Sequence, residues 1–269
     1  MTTPGRGASL LAPPQGQHVY VVRSRRTGEV SIGVDMTPNG ACPLSCDYCQ
    51  VPRTERSAPV PVDLARVRDE LTAALERTGR EAGDVVFAGS GEPTWPGEFP
   101  AALELARALV RASGLAIPVR VLTCGATLER ADVQAALGAL VASGEGEVWV
   151  KLDGWDEATH RRFWGTRGQA EHEARIEAFG RKTPVVVQSM LVRRHDAPSP
   201  GETAEGLAAA VTRLLAAGCR VQRVILSTLF RTPGDGDVEL APLTKDEIEV
   251  VARAVRATGA VVQVPAMAG

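Results

Sequence analysis

Three of the five cysteines in this chain, Cys42, Cys46 and Cys49, fall at i, i+4 and i+7 in a single short segment. Thiolates packed into one compact loop suit a metal ion or an iron–sulfur cluster better than a disulfide framework. Closed zinc sites and electron-carrying cubanes usually take four protein ligands, so a trio leaves one metal position open, which is where chemistry would occur. Zinc remains an alternative from spacing alone, with a fourth ligand brought from afar by Cys124 or His160. Other polar residues recur at the ends of apolar runs: Gly89-Ser90-Gly91-Glu92-Pro93, Thr123-Cys124, Lys151 with Asp153, Gln188 with Met190, and Ser227-Thr228.

The elements that must position these groups can be read from apolar periodicity. His18–Val22 and Val30–Asp35 alternate as strands about a Thr27-Gly28 turn. Helices are expected near 63–78, 98–112, 128–142, 202–217 and 245–258, the first capped by Asp63 with Leu64, Val67, Leu71 and Leu75 on one face. Strands are expected at 84–88, 119–123, 147–153, 184–191, 221–228 and 260–264, and a charged, partly broken helical stretch at 156–179. Buried strands linked by helices require parallel pairing with right-handed crossovers. The expected fold is therefore α/β, a partial (β/α)6 TIM-like barrel with an N-terminal β-hairpin, and a doubly wound sheet is its competitor. In both, the active face lies beyond the carboxyl ends of the strands, where all the polar groups above converge.

Residues 1–17, rich in Pro, Gly and Ala, read as a flexible tail, and residues 18–269 as a single domain. A formal charge of −2 exerts no global pull toward nucleic acid or anionic membrane. No apolar run approaches the ~18 residues of a transmembrane helix, and the N-terminal stretch lacks a signal-peptide core. The expected location is cytoplasmic, with reduced cysteines. Arginine groups at Arg23, Arg25 and Arg26, at Arg161, Arg162 and Arg167, and at Arg193 and Arg194 beside His195 would either grip a phosphate or form solvated faces. Trp155, Phe163 and Trp164 would either lid the mouth or pack a helix down. His160 is expected at the surface, and Trp149 and Met190 as packing residues. Cys219 reads as a buried structural thiol.

Cys42-x-x-x-Cys46-x-x-Cys49, with Tyr48 just before the last cysteine, resembles the signature of the radical S-adenosylmethionine (SAM) superfamily. The resemblance implies that the three thiolates hold three irons of an oxygen-sensitive [4Fe-4S] cluster while the amino and carboxylate groups of SAM chelate the fourth. Reductive cleavage of SAM would yield methionine and a 5′-deoxyadenosyl radical that takes hydrogen from the substrate. Gly89-Ser90-Gly91-Glu92-Pro93 resembles the family's second motif and assigns the SAM ammonium to Glu92. Thr123-Cys124-Gly125 resembles a strand end usually written Thr-Asn-Gly, with Cys124 in place of Asn. Lys151 would take the SAM carboxylate, Asp153 a ribose hydroxyl or a substrate amine, and Gln188 SAM or substrate; a structural Lys151–Asp153 ion pair is the alternative.

Ser24–Arg26, Ser31–Asp35, Tyr48–Gln50, Gly91–Thr94 and Val148–Asp153 together resemble the wyosine-synthase-like branch. The upstream cysteines that give wyosine synthases a second cluster are not matched here, since Cys42 is the first cysteine. The cysteine-rich C-terminal extension of peptide-modifying relatives is likewise not expected. The implied partners are an external electron donor of flavodoxin or ferredoxin type and a small-molecule or nucleotide substrate. A glycyl-radical activase, an RNA-modifying enzyme, and a zinc or Fe-S protein without SAM chemistry are the alternatives.

Overall fold

In a computed structural model, residues 18–24, 28–51, 58–165, 168–194, 198–230 and 240–265 are described. The tail 1–17, Thr27, Arg25, Arg26, Arg167 and His195 lie outside them.

The chain opens with an antiparallel hairpin, β1 (Val19–Arg23) and β2 (Val30–Val34). It continues through α1 (Leu64–Thr78), β3 (Ala82–Phe87), α2 (Phe99–Ser113), β4 (Val119–Thr123), α3 (Ala131–Ala142) and β5 (Gly146–Lys151). Then come α4 (Glu157–Trp164), α5 (Gln169–Gly180), β6 (Val185–Arg193), α6 (Pro200–Ala216), β7 (Val221–Thr228), β8 (Ala241–Pro242), α7 (Lys245–Arg256) and β9 (Val262–Gln263). Among the described residues the sheet has nine strands, in the order β1-β2-β3-β4-β5-β6-β7-β9 with β8 antiparallel to β6 off this path. Strands β2 to β7 and β9 are parallel, and among the described residues β1 and β9 are the two edges and do not pair with each other, so the barrel is open.

This sequential order settles the competition between folds. A doubly wound sheet reverses its strand order and carries helices on both faces. Here one parity of each strand packs with the helices: Ile32, Val34, Val85, Phe87, Val121, Val148, Val187 and Leu226 join Val67, Leu71, Leu103, Leu137, Leu207 and Val251 in one core. The other parity lines the concave side, where Trp149, Val186 and Ile225 cluster with Leu122. Below them, Glu147 accepts both Arg223 guanidinium NH2 groups at 2.8 Å and the Trp149 indole N–H at 2.8 Å. Arg120 pairs with Asp84 and reaches Glu147, and both arginines lie over the Trp149 ring at 5.6 and 5.7 Å. This ionic layer floors the barrel.

Local chemistry sets the element boundaries. Asp63 caps α1 by accepting the N–H groups of Ala65 and Arg66; Asp156, Ser199 and Thr244 begin α4, α6 and α7 with capping boxes. The expected helix at 128–142 begins only at Ala131, because residues 125–130 turn after Gly125, whose φ of +82° stops β4. The stretch 156–179 is two helices, separated near Gly165 and Gly168, both left-handed. Strand β5 stops at Lys151, two residues before the expected end. The two-residue β8 was not anticipated, as Pro242 reads as a strand breaker.

Candidate functional site

The cysteine loop leaves the carboxyl end of β2 and is fastened on two sides. Gly89 has the Asp35 carboxyl against it, 2.3 Å from where a Cβ would stand, and a Cβ on Gly91 would lie 2.0 Å from Ala41 O. Between them, Ser90 donates its N–H and Oγ–H to Asp35 Oδ2 at 2.9 and 2.6 Å, while Asp35 Oδ1 accepts the Thr37 N–H. The glycines of the motif are thus demanded by close approach of the segment entering the loop. On the far side, Ser45 and Asp47 donate their N–H groups to Trp164 O and Phe163 O, the free carbonyls ending α4, and Asp47 pairs with Arg194.

Cys42, Cys46 and Cys49 are half-buried free thiols. Burial pushes Cys46 up to about 12, opposed by Lys151, so a thiolate there requires a cation to hold it. Cys42 is instead lowered, chiefly by a hydrogen bond from Cys124, which is itself pushed well above the usual thiol range. Among the described residues no three His, Cys, Asp or Glu side chains converge on a point where one ion would sit. Three thiolates of a cubane need no such point, since each takes a different iron.

Glu92 is buried, and its carboxylate organises the neighbouring strand ends. Oε1 accepts the Thr94 N–H at 3.1 Å, the Thr94 hydroxyl and the Thr123 hydroxyl at 2.6 Å; Oε2 accepts the Cys124 N–H at 2.7 Å. Thr127 closes the hydroxyl network onto Thr94. A carboxylate offers about four lone-pair sites, so Oε2 retains one for a further donor. Pro93 is buried between the two bonded residues.

Tyr48 lies across the mouth toward β5. Its hydroxyl donates to Asp153 Oδ2 and accepts from the Trp164 indole at 3.2 Å, with Lys151 Nζ at 3.4 Å and 4.7 Å from the ring centroid. Burial and the Asp153 charge push the Tyr48 hydroxyl well above its usual range, so it stays protonated. Asp153 also accepts the Trp164 indole at 3.0 Å and the Met190 N–H at 2.7 Å. Lys151 and Asp153 thus meet through Tyr48. Gln188, opposite Lys151 in register, is completely buried, and neither its Oε1 nor its Nε2 has a partner. An unsatisfied buried amide is costly, and this one lies on the concave face beside Lys151. Three thiols in one loop, glycines giving close backbone approach, and this orphaned amide fit a cluster together with a polar ligand.

The aromatic group divides. Trp164 and Phe163 pack with Tyr48, Val192 and Leu229 against Leu44, Cys46 and Met190, whereas Trp155 lies against Gly206 of α6. His160, expected at the surface, is buried against Trp164 and His172, with ring centroids 4.8 and 5.7 Å away. The helix α4 turns this face inward to set Trp164 at the mouth, and His160, one turn earlier, follows it. His172 was not singled out from the sequence; its Nε2–H donates to Lys151 O at 2.9 Å, and burial pushes it down to about 3. These histidines line a cavity of about 330 Å³ with Leu44, Cys124, Trp164 and Arg175. Asp35, Thr94 and Thr127 were likewise unmarked as site residues, although the close glycines at 89 and 91 were their signal. The arginines of the described segments are partly spent: Arg193 and Arg194 pair with Glu247 and Asp47.

The model of the Radical SAM superfamily matches residues 36–207. The chain belongs to the radical SAM superfamily. Its cofactors, as in that family, are a [4Fe-4S] cluster and SAM. No curated protein matches the chain in sequence. Among solved structures it is similar to a radical SAM methyltransferase from Sphaerobacter thermophilus, at 18% identity and a TM-score of 0.63, covering 88% of this chain and 66% of that one. It is also similar to Streptococcus suis SuiB bound to S-adenosylmethionine, at 15% identity and a TM-score of 0.62, covering 88% and 50%. A third likeness is to TYW1 with a lysine-pyruvate adduct bound, at 15% identity and a TM-score of 0.52, covering 87% and 74%. The chain thus spans between half and two thirds of the length of the first two. At such identities these likenesses show the shared open-barrel fold. No helix among the described residues is long and apolar enough to cross a membrane.

Proposed function

We propose that the protein is a radical SAM enzyme acting on a small-molecule or nucleotide substrate, with Cys42, Cys46 and Cys49 holding the cluster. The observation that carries this reading is the cysteine loop itself, pinned at the end of β2 by Asp35, Ser90 and Gly91 with a buried carboxylate, a lysine and an unpartnered amide on the neighbouring strand ends. When bound, the cofactors supply reductive cleavage of SAM to methionine and a 5′-deoxyadenosyl radical, which abstracts hydrogen from the substrate. The chain's own residues bind and orient. Oε2 of Glu92 takes the SAM ammonium on its remaining lone pair, with Gly89 to Pro93 and Thr123 fixing its position. Lys151 takes the carboxylate, and Gln188 and Asp153 take polar groups farther along SAM or the substrate. Tyr48, Phe163 and Trp164 exclude water from the loop's inner side. Electrons come from an external donor of flavodoxin or ferredoxin type.

Within the superfamily we assign the chain to the wyosine-synthase-like branch, supported by the segments Ser31–Asp35, Gly91–Thr94 and Val148–Asp153. The tRNA-modifying reaction of wyosine synthases is not carried over with it. Anaerobically reconstituted protein is expected to hold about four irons and to convert SAM to 5′-deoxyadenosine under dithionite, read by chromatography. Cys46→Ala abolishes that conversion. Unchanged conversion in Cys46→Ala, or colourless native protein carrying stoichiometric zinc, overturns the reading.

A further inference from the structure

Between the cysteine loop and the helices α4 and α5 lies the cavity of about 330 Å³, at the small end of the range of small-molecule sites. No step of the proposed reaction uses it. Two groups in its wall lack the partners they would ordinarily have. His160 is 2% exposed, and its Nδ1 is buried without a hydrogen-bond partner. Burial holds this imidazole below its usual pKa, so the ring is neutral and one of its nitrogens is an acceptor.

Glu171 is the third residue of α5, the position from which a glutamate turns back to cap the N–H at the helix entrance. That N–H, on Gly168, already goes to the Glu157 carboxylate at 3.2 Å, as does the Gln169 N–H at 3.1 Å. The other ordinary partner would be Arg175, one turn on at i+4, but Arg175 turns to Glu129 and is neutralised there. Among the described residues Glu171 therefore caps nothing and pairs with no cation, and its carboxylate borders the cavity.

A ligand that completes both groups must donate to a carboxylate and to a neutral imidazole nitrogen. An ammonium does so, since it carries three N–H donors and no acceptor. A phosphate or a carboxylate would leave Glu171 facing a like charge. Trp164, in the same wall, adds an aromatic surface that attracts a cation. Leu44, between Cys42 and Cys46, and Cys124 close the cavity on the side of the cysteine loop.

We propose that this cavity is the substrate site and that the substrate is a small primary amine, its ammonium held by Glu171 and His160 beside the cysteine loop. The assignment rests on the radical SAM reading and narrows its substrate class to amines.

The test is calorimetric titration of the anaerobically reconstituted full chain, with and without SAM. The probes are benzylamine, a cation at neutral pH, and benzyl alcohol and benzoate as its neutral and anionic counterparts. Benzylamine is expected to bind, and both counterparts to bind at least about fivefold more weakly. Glu171→Gln, on an exposed side chain that makes no ion pair or cap, weakens benzylamine by about fivefold and leaves benzyl alcohol unchanged. His160→Phe, which keeps a ring against Trp164, also weakens benzylamine. Glu173→Gln, on the same helix but paired with Arg213, leaves it unchanged. Similar affinities for the three probes, no binding of benzylamine, unchanged affinity in Glu171→Gln, or an equal loss in Glu173→Gln overturns the proposal. So does benzylamine that is displaced when SAM is added, because the cavity would then take the amino group of SAM itself. Protein that forms no cluster and cleaves no SAM defeats the functional reading, whatever benzylamine does; protein that cleaves SAM but ignores benzylamine defeats the amine assignment alone.

Discussion

At the scale of single residues, the site is a set of side chains that satisfy one another before any ligand is considered. Glu92 is the clearest case. Its carboxylate accepts from Thr94, Thr123 and the Cys124 backbone, so it ties the segment after β3 to the end of β4, besides the ammonium that the proposed function gives it. Glu92→Gln therefore loses stability along with SAM affinity: exchanging an acceptor oxygen for an NH2 that faces donors costs about 1.5–3 kcal/mol, measurable by urea denaturation. A variant of unchanged stability would show that the network does not depend on the charge. Lys151→Met, by contrast, removes the ammonium that lies over the Tyr48 ring and that the proposed function gives to the SAM carboxylate, while keeping an unbranched apolar stem. It is expected to weaken SAM binding in calorimetry by about tenfold or more, with little change in iron content. The cysteines and Glu92 were legible in sequence because their spacing and neighbours are local. The burial of His160 was not, since it depends on which way α4 faces across the cysteine loop.

At the scale of elements, most boundaries followed from caps and apolar periodicity, and the departures have local causes. Leu128 carries an apolar side chain at helical spacing, but it belongs to the turn that delivers Thr127 to Thr94. The charged stretch after β5 looked like one broken helix; Gly165 and Gly168 split it into two helices meeting at the mouth, a geometry that periodicity does not encode. The second of these helices is tied down by His172, whose Nε2–H is bonded to Lys151 O. With its pKa held near 3 by burial, against about 6.5 in the unfolded chain, His172 is neutral when folded and protonated when unfolded between those values. Its contribution is complete above the upper value and is lost as pH falls toward the lower one. His160 shifts in the same direction. Between about pH 7 and about pH 5 the native protein should lose about 2 kcal/mol through His172 alone. In His172→Phe that share of the acid sensitivity disappears, as read from urea midpoints at the two pH values; an unchanged difference would refute it.

At the scale of the whole molecule, the sequential strand order and the single helical layer make an open barrel whose two ends do different work. The floor rests on Trp149, between Arg120 and Arg223 and bonded to Glu147. Trp149→Ala is expected to destabilise the fold by about 3–5 kcal/mol, with the cysteine loop's iron binding preserved once folded; calorimetric melting alongside iron analysis separates the two. The sequence placed Trp149 below the site by parity alone, but the cross-strand partners of Glu147 and Arg223 could not be read from it, because strand register is a property of the assembled sheet.

The floor also has an electrical consequence. Asp84 and Glu147 carry two negative charges and Arg120 and Arg223 two positive ones, each within contact of an opposite partner. Their formal charges sum to zero within the floor, and the charged groups nearest the cysteine loop are Asp35, Glu92, Asp153 and Lys151 at the rim. Removing one floor cation would unbalance that cancellation from beneath, without touching a ligand. The base of the barrel is thus a place from which the charge balance beneath the mouth can be changed at a distance.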